Sequence, residues 1–83
     1  MTEVTILYFA AVRELAGVSE ERLQLPANID TVARLVTHLE ALHAPLAGRL
    51  RSVRVARNET FVDATEPLSD GDTIALIPPV SGG

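Results

Sequence analysis

The 83-residue sequence contains no cysteine, no tryptophan and no lysine, and it has only three aromatic residues of the Phe and Tyr types. Without cysteine there can be no disulfide, no thiolate metal site, no iron–sulfur cluster and no cysteine nucleophile. Without lysine there is no side-chain amine for Schiff-base catalysis. A cysteine-free composition fits the reducing cytosol.

Long hydrophobic runs are absent too. The longest apolar stretch, residues 4–12, includes Thr5 and is far shorter than the roughly 20 residues that cross a bilayer. The start of the sequence lacks a basic region followed by an apolar core, so we expect no signal peptide. The net charge of −4 argues against nucleic acid as the main partner. We therefore expect a cytoplasmic protein with neither a membrane nor a nucleic-acid partner.

The length of the chain predicts one domain over residues 1–83. A chain of this size buries roughly 60% of its unfolded surface, which supports a modest core but not a deep substrate cavity. Hydrophobic residues make up 47% and charged residues 22% of the sequence, as in ordinary globular domains.

Alternation of apolar and polar residues predicts strands along the chain. A short helical turn at residues 10–16, closed by Gly17, and a main helix at residues 31–43 lie between them. This order predicts an α+β fold, with a mixed sheet and one main helix packed on one face. The predicted strands are residues 2–9, 20–25, 52–56, 60–63 and 73–77, the last apolar on both faces as in a central strand.

The main helix has the clearest pattern. Asp30 or Thr31 can act as its N-cap, and Pro45 lies just beyond its end. Its apolar residues recur three or four positions apart, which predicts a single stripe facing the core. The stripe consists of Val32, Leu35, Val36, Leu39 and Leu42. Further along, we expect a hairpin that turns about residues 57–59.

The end of the sequence is a candidate functional segment. Pro78 and Pro79 follow the last predicted strand and favour an extended exit, so the tail should leave the body stiffly rather than fold back. We expect residues 78–83 to form a flexible, reactive tail. Glycine has no Cβ to obstruct a narrow enzyme pocket, so Gly82 and the carboxylate of Gly83 could reach a reaction centre. The alternative is that the terminal glycines are only a disordered end. The other residues of this tail are Val80 and Ser81.

Three segments of the chain resemble signatures of one family, the small subunits of molybdopterin synthase. The segments, in chain order, are LYFAAVRELAG at residues 7–17, VARNET at residues 55–60 and DGDTIALIPPVSGG at residues 70–83. The resemblance covers nearly the whole chain. It implies a ubiquitin-like β-grasp with an extended C-terminal tail.

The resemblance also implies a function and partners. An activating enzyme of the ubiquitin-activating type would use ATP to adenylate Gly83, and a persulfide-bearing sulfurtransferase would then convert it to a thiocarboxylate. The tail would enter the large subunit and donate sulfur to cyclic pyranopterin monophosphate in molybdenum cofactor biosynthesis. Two small and two large subunits would form a heterotetramer. The carrier would bind no permanent cofactor and no metal, and it would not be catalytic alone.

An exposed apolar patch is predicted on the sheet face that the main helix leaves uncovered, and such patches often mark partner sites. The family resemblance points to partner contacts in the same region, together with the tail residues from Pro78 onward. Two alternatives stay open: residues 43–52 cover the patch, or the predicted register is wrong by one residue. The patch would consist of Leu7, Phe9, Phe61, Ala75 and Ile77.

The remaining polar groups have weaker patterns. His38 and His43 lie five residues apart on the main helix, which does not place two metal ligands side by side. The Asp70-Gly71-Asp72 segment is interpreted as a turn rather than as a calcium loop. A run of arginines could dock an acidic partner, or it could be a solvated face; it comprises Arg49, Arg51, Arg54 and Arg57.

Other functions stay open on the sequence alone. The chain could carry sulfur for thiamine, cysteine or tRNA thiolation. It could be a ubiquitin-like modifier that forms isopeptide bonds with target proteins, although the absence of lysine excludes side-chain-linked chains of itself. It could also be an interaction domain with an inert tail.

Overall fold

The computed structural model describes residues 2–79, and within them the predicted order of strands and helices is confirmed. The expectations for Val80, Ser81, Gly82 and Gly83 lie outside the described residues. No helix in residues 2–79 combines the length and apolar character needed to span a membrane. The elements are β1 (Thr2–Tyr8), α1 (Ala10–Ala16), β2 (Glu20–Leu25), α2 (Val32–Leu42), a 3₁₀ turn (Ala44–Leu46), β3 (Arg54–Arg57), β4 (Thr60–Val62) and β5 (Thr73–Ile77).

The strands form a mixed sheet in the order β2-β1-β5-β3-β4. β1 pairs in parallel with β5, while the β1–β2, β3–β5 and β3–β4 pairs are antiparallel. β5 is therefore central, as its apolar residues on both faces predict. With the main helix packed on one face, this arrangement is the ubiquitin-like β-grasp, and the predicted α+β class is confirmed.

The core lies between the sheet and α2. Val4, Ile6 and Tyr8 of β1 are buried, as predicted from their shared parity. They pack in one cluster with buried residues of β5 and α2. On the opposite parity of β1, Thr5 and Leu7 are half-buried and Glu3 is exposed, so the sheet has one covered face and one open face.

The predicted apolar stripe of α2 is correct except at its end. Val32, Leu35 and Leu39 are buried, but Leu42 is 48% exposed. Leu42 is the last helical residue, and the chain turns away immediately after it. The core at this end is filled by Leu46 of the 3₁₀ turn, which is fully buried.

The helix ends follow from local chemistry. The side-chain oxygen of Thr31 accepts a hydrogen bond from the Arg34 backbone N–H at 3.3 Å, so Thr31 is the N-cap of α2 rather than Asp30. Gly17 ends α1 with φ 81°, a left-handed conformation that glycine adopts without steric cost. Both ends fall where the sequence predicts them.

The β3–β4 hairpin differs from its prediction. Arg57 belongs to β3, so the turn contains two residues, Asn58 and Glu59, and not three. Both have positive φ, 51° and 72°, as a type I′ turn requires. Asn commonly adopts this conformation, but Glu rarely does, which is why the residue types did not indicate the two-residue turn.

A half-buried polar cluster joins β1, β2 and the end of α2. The Tyr8 hydroxyl donates a hydrogen bond to the Glu21 carboxylate, and His43 Nε2 lies 2.6 Å from the same carboxylate oxygen. The Tyr8 and His43 rings meet edge to face, with centroids 5.8 Å apart. Burial, together with the adjacent Glu21 carboxylate, raises the pKa of Tyr8 far above its ordinary value of 10.0.

The Tyr8 hydroxyl should resist alkaline titration while the protein is folded. Tyr8 is the sole tyrosine and there is no tryptophan, so ultraviolet absorbance of tyrosinate reports this group alone. We expect ionisation near the ordinary pKa in concentrated guanidinium chloride and well above it in the native protein. Because the folded-state pKa is raised, the stability from this site is full below pH 10.0 and is lost as pH rises further. Ionisation of the native protein near its ordinary pKa would contradict this expectation.

Candidate functional site

The five residues of the predicted apolar patch come together on the open face of the sheet. They line one shallow depression opposite the face that packs on α2, so the structure brings these five residues together. The 43–52 segment contributes no residue to this depression. The patch consists of Leu7, Phe9, Phe61, Ala75 and Ile77.

Strand register explains why these residues meet. Ala75 of β5 lies opposite Leu7 of β1 on one side and opposite Ala56 of β3 on the other. Ala56 in turn lies opposite Phe61 of β4. One row of side chains therefore crosses four strands on the same face, with small residues in the middle.

Two aromatic rings border the small residues of this row. Phe9 follows β1 directly and is 45% exposed, and Phe61 on β4 is 50% exposed. The alanines between them lower the surface, which makes the patch concave. A contiguous exposed apolar surface of this kind is typical of a protein-binding site.

Ala56 belongs to the floor of the patch but was not predicted. It is only 7% exposed because it is small and lies between β4 and β5. A three-residue turn would have placed Ala56 opposite Thr60, whereas the two-residue turn places it opposite Phe61. The signal that could have found Ala56 is therefore the hairpin register. The polar residues that line the same depression are Asn58, Glu59 and Thr73.

The chain leaves β5 at the border of the patch. Ile77 is the last residue of β5 and lines the depression, and Pro78 and Pro79 follow it. Pro78 is half-buried and Pro79 is exposed, and in the described part of the chain neither lines the depression. Proline removes the backbone donors that would continue the strand, so the sheet ends here.

A polar network beneath the patch holds the hairpin on β5. Asp72 is 6% exposed, and its carboxylate accepts hydrogen bonds from the Asn58 side chain at 2.9 Å and the Ser69 N–H at 2.7 Å. The Asn58 side-chain oxygen accepts from the Thr73 N–H at 2.9 Å. These bonds hold the β3–β4 turn against the first residue of β5. Asp72 therefore belongs to a structural turn, as predicted.

The adjacent residues of this turn fasten it to β1. The Asp70 carboxylate accepts from the Glu3 N–H at 2.7 Å, and the Gly71 N–H donates to the Glu3 carbonyl at 2.7 Å. Gly71 has φ 89°, which explains why a glycine stands here. The segment thus fixes the start of β5 beside β1.

The structure separates the predicted run of arginines. Arg57 contacts Glu66 at 2.9 Å and donates to the Pro67 carbonyl at 2.7 Å, so it supports the loop before β5. The Arg54 guanidinium lies 3.9 Å from the centroid of the Phe61 ring. Arg49 and Arg51 are exposed. The four side chains do not act as one unit.

The lining of the patch is mostly apolar. It contains one ionisable side chain, Glu59, among the described residues. Residues 2–79 also hold no group of three or more His, Asp or Glu side chains placed to bind a metal ion.

These features define a class: a small ubiquitin-like protein whose central strand ends beside an exposed apolar patch. The sequence profile of the ThiS family matches residues 6–83. The chain belongs to the ThiS family.

Relatives and a solved structure support the same assignment and confirm the resemblance seen in the sequence. The "Molybdopterin synthase sulfur carrier subunit" of Chlamydomonas reinhardtii is 37% identical over 98% of this chain and 99% of that protein. The protein of the same name from Escherichia coli (strain K12) is 38% identical over 96% of this chain and 99% of that protein. The crystal structure of Haloferax volcanii small archaeal modifier protein 1 has 27% identity and a TM-score of 0.85, over 96% of this chain and 100% of that one.

The hydrogen bonds to the buried Asp72 carboxylate should stabilise the fold more than an exposed ion pair does. Asp72→Ala leaves the Asn58 amide and the Ser69 N–H without their acceptor, and we expect a loss of about 2 kcal/mol in the free energy of unfolding. The matched control is Asp30→Ala, which removes an exposed ion pair with Arg34 and should cost less than about 0.5 kcal/mol. Urea denaturation measures both. Equal losses in the two variants would show that the network adds nothing beyond a surface pair.

Proposed function

We propose that the chain is the sulfur carrier subunit of a molybdopterin synthase and that Gly83 carries the sulfur. The observation that carries the proposal is the placement of β5, the central strand, which ends at the border of the apolar patch. In the sequence, Pro78 and Pro79 follow this strand and lead to Gly82 and Gly83. A folded domain with a docking patch beside the start of its C-terminal tail suits a protein whose terminal glycine reacts in the active site of an enzyme. The names of the relatives support this function.

The proposed chemistry takes place at the terminal carboxylate. A carboxylate is a poor electrophile, so an activating enzyme first joins it to AMP from ATP, with pyrophosphate as the leaving group. The outer sulfur of an enzyme persulfide then attacks the acyl-adenylate and displaces AMP, which gives an acyl disulfide between Gly83 and the enzyme. A second thiol cleaves the S–S bond, so that a thiocarboxylate stays on Gly83 and the enzyme keeps a disulfide. The thiocarboxylate is ionised near neutral pH and nucleophilic, and it attacks cyclic pyranopterin monophosphate in the active site of the large subunit. Water then cleaves the resulting thioester, which leaves the sulfur on the pterin and returns the carboxylate of Gly83.

A carrier that holds the sulfur while its partners catalyse the reactions fits the composition of the chain. Sulfur on a terminal acyl group requires no cysteine, and the sequence has none. Among residues 2–79, Glu59 is the one ionisable side chain that lines the patch. We propose that the partners supply the acid–base groups for both activation and transfer. We therefore propose that the carrier is not catalytic alone and that ATP is a substrate of the activating enzyme. The functional assembly would contain two carriers and two large subunits. A cytoplasmic location stays a prediction of the sequence.

The apolar patch is the proposed docking surface for these partners. Phe9 and Phe61 present the largest exposed apolar groups of the patch, and aromatic side chains in concave surfaces often carry much of the binding energy. A partner that covers the patch would bring its active site to the place where Pro78 leaves the sheet. The same surface would serve successive partners in turn.

A second function in the same class is favoured by one observation, the likeness to Haloferax volcanii small archaeal modifier protein 1. A modifier uses the same adenylated terminal glycine but transfers it to a lysine of another protein. The two functions differ in their product: a carrier is released with sulfur on Gly83, whereas a modifier remains joined to its target through an isopeptide bond.

Intact mass spectrometry tests the proposed carrier function directly. Protein isolated from sulfur-replete cells that contain the activating enzymes should include a species heavier by the difference between sulfur and oxygen. Deletion of Gly83, or addition of one residue after it, should abolish molybdopterin synthesis without changing thermal unfolding, because residues 2–79 form the core. If the heavier species never forms, the carrier function is wrong. If target-linked forms accumulate instead, the modifier function replaces it.

The docking role of the patch is tested by a matched pair of substitutions. Phe61→Asp places a charge in the patch, while Leu42→Asp places the same charge at an exposed residue of α2, remote from the tail root. We expect Phe61→Asp to weaken binding to the large subunit by about tenfold or more, and Leu42→Asp to have little effect. Isothermal titration calorimetry gives both dissociation constants. Similar constants for the two variants would remove the patch from the proposed interface.

A further inference from the structure

The backbone of Arg54 lies opposite the last residue of β5. Arg54 is the first residue of β3, and its register partner across the sheet is Ile77. Arg54 and Ala56 have the same parity in β3, so Arg54 stands on the patch side of the sheet. Its guanidinium lies over the Phe61 ring, at the β4 side of the patch.

The Phe61 ring orients this guanidinium. The guanidinium carbon lies 3.9 Å from the ring centroid, which is a cation–π contact on an exposed phenyl ring. Stacking on one face leaves the N–H groups around the edge of the guanidinium directed away from the ring. The side chain is therefore held in place before any partner arrives, which reduces the entropy lost on binding.

The acidic side chains near Arg54 already have other partners. Asp63 and Glu66 line the same surface depression as Arg54. Asp63 accepts hydrogen bonds from the Thr65 N–H and hydroxyl, which lower its pKa, and Glu66 pairs with Arg57 at 2.9 Å. Among residues 2–79, no carboxylate forms an ion pair with Arg54.

We infer that Arg54 is a specificity-determining residue of the carrier that binds a carboxylate of the large subunit beside Phe61, at the border of the patch. This inference rests on the proposed function, because it requires a partner that covers the patch. Guanidinium and carboxylate groups match in planar geometry, and an apolar surface around the pair excludes water and strengthens it. An apolar patch alone binds many surfaces, whereas one oriented charge at its border selects a partner with a carboxylate in the matching place.

The test compares charge changes at two exposed arginines of the full-length, thiocarboxylated carrier. Arg54→Glu should raise the dissociation constant for the purified large subunit by about ten- to a hundredfold, since it replaces a charge-assisted pair with repulsion. Arg54→Lys should fall between wild type and Arg54→Glu, because lysine keeps the charge but loses the planar geometry. Arg49→Glu makes the same charge change away from the patch and is the control; we expect less than about a threefold change.

Kinetics separate a binding role from a structural one. For molybdopterin synthesis with carrier as the varied substrate, Arg54→Glu should raise KM and leave kcat at saturation near the wild-type value. Thermal unfolding of Arg54→Gln, which retains most of the side chain, shows whether the fold is intact.

Two outcomes overturn the inference. Equal effects of Arg54→Glu and Arg49→Glu would show only general attraction, and an unchanged KM in Arg54→Glu would show no contact. In either case a wild-type carrier that still makes molybdopterin leaves the proposed function standing. A wild-type carrier that neither binds the large subunit nor supports synthesis would overturn both.

Discussion

The parallel pairing of β1 with β5 is the contact on which the rest of this structure depends. These strands come from opposite ends of the chain, and their inner faces supply Val4, Ile6, Ile74 and Leu76 to the core beneath α2. Burial of these side chains offsets the loss of chain entropy that comes from joining distant segments. Once β5 lies between β1 and β3, its end is set at a fixed place on the surface, and the tail begins there.

The open face of the sheet takes its character from the same pairing. Each strand presents alternate residues to its two faces, so burying Ile74 and Leu76 turns Ala75 and Ile77 outward. The neighbours of Ala75 across the sheet, Leu7 and Ala56, are also apolar, and α2 cannot cover both faces. The polar network about Asp72 stabilises this arrangement by holding the β3–β4 turn on β5, which keeps Phe61 in line with Ala75.

Much of the fold could be predicted because local patterns agree with the global arrangement. The alternation in β1, the spacing in α2 and the Gly17 cap each indicate the element that forms. The sequence predictions were wrong where the local residue pattern does not determine the structure. Leu42 has helical spacing but ends α2, and Leu46 fills the core instead. The hairpin turn contains Glu59 at positive φ, an uncommon choice, so its length could not be read from residue preference.

The sequence by itself determined the sheet-and-helix composition, the family resemblance and the absence of thiol and amine chemistry, because each depends on residue type and spacing. The five patch residues could be proposed from strand parity as well. The tertiary structure alone decided that Ala56 forms the floor of the patch, that Arg57 pairs with Glu66 in the loop before β5, and that Arg54 stacks on Phe61. The positions of Ala56 and Arg54 depend on the β3–β4 register, where a shift of one residue would reverse the face of each side chain, and residue preference did not give the length of that turn.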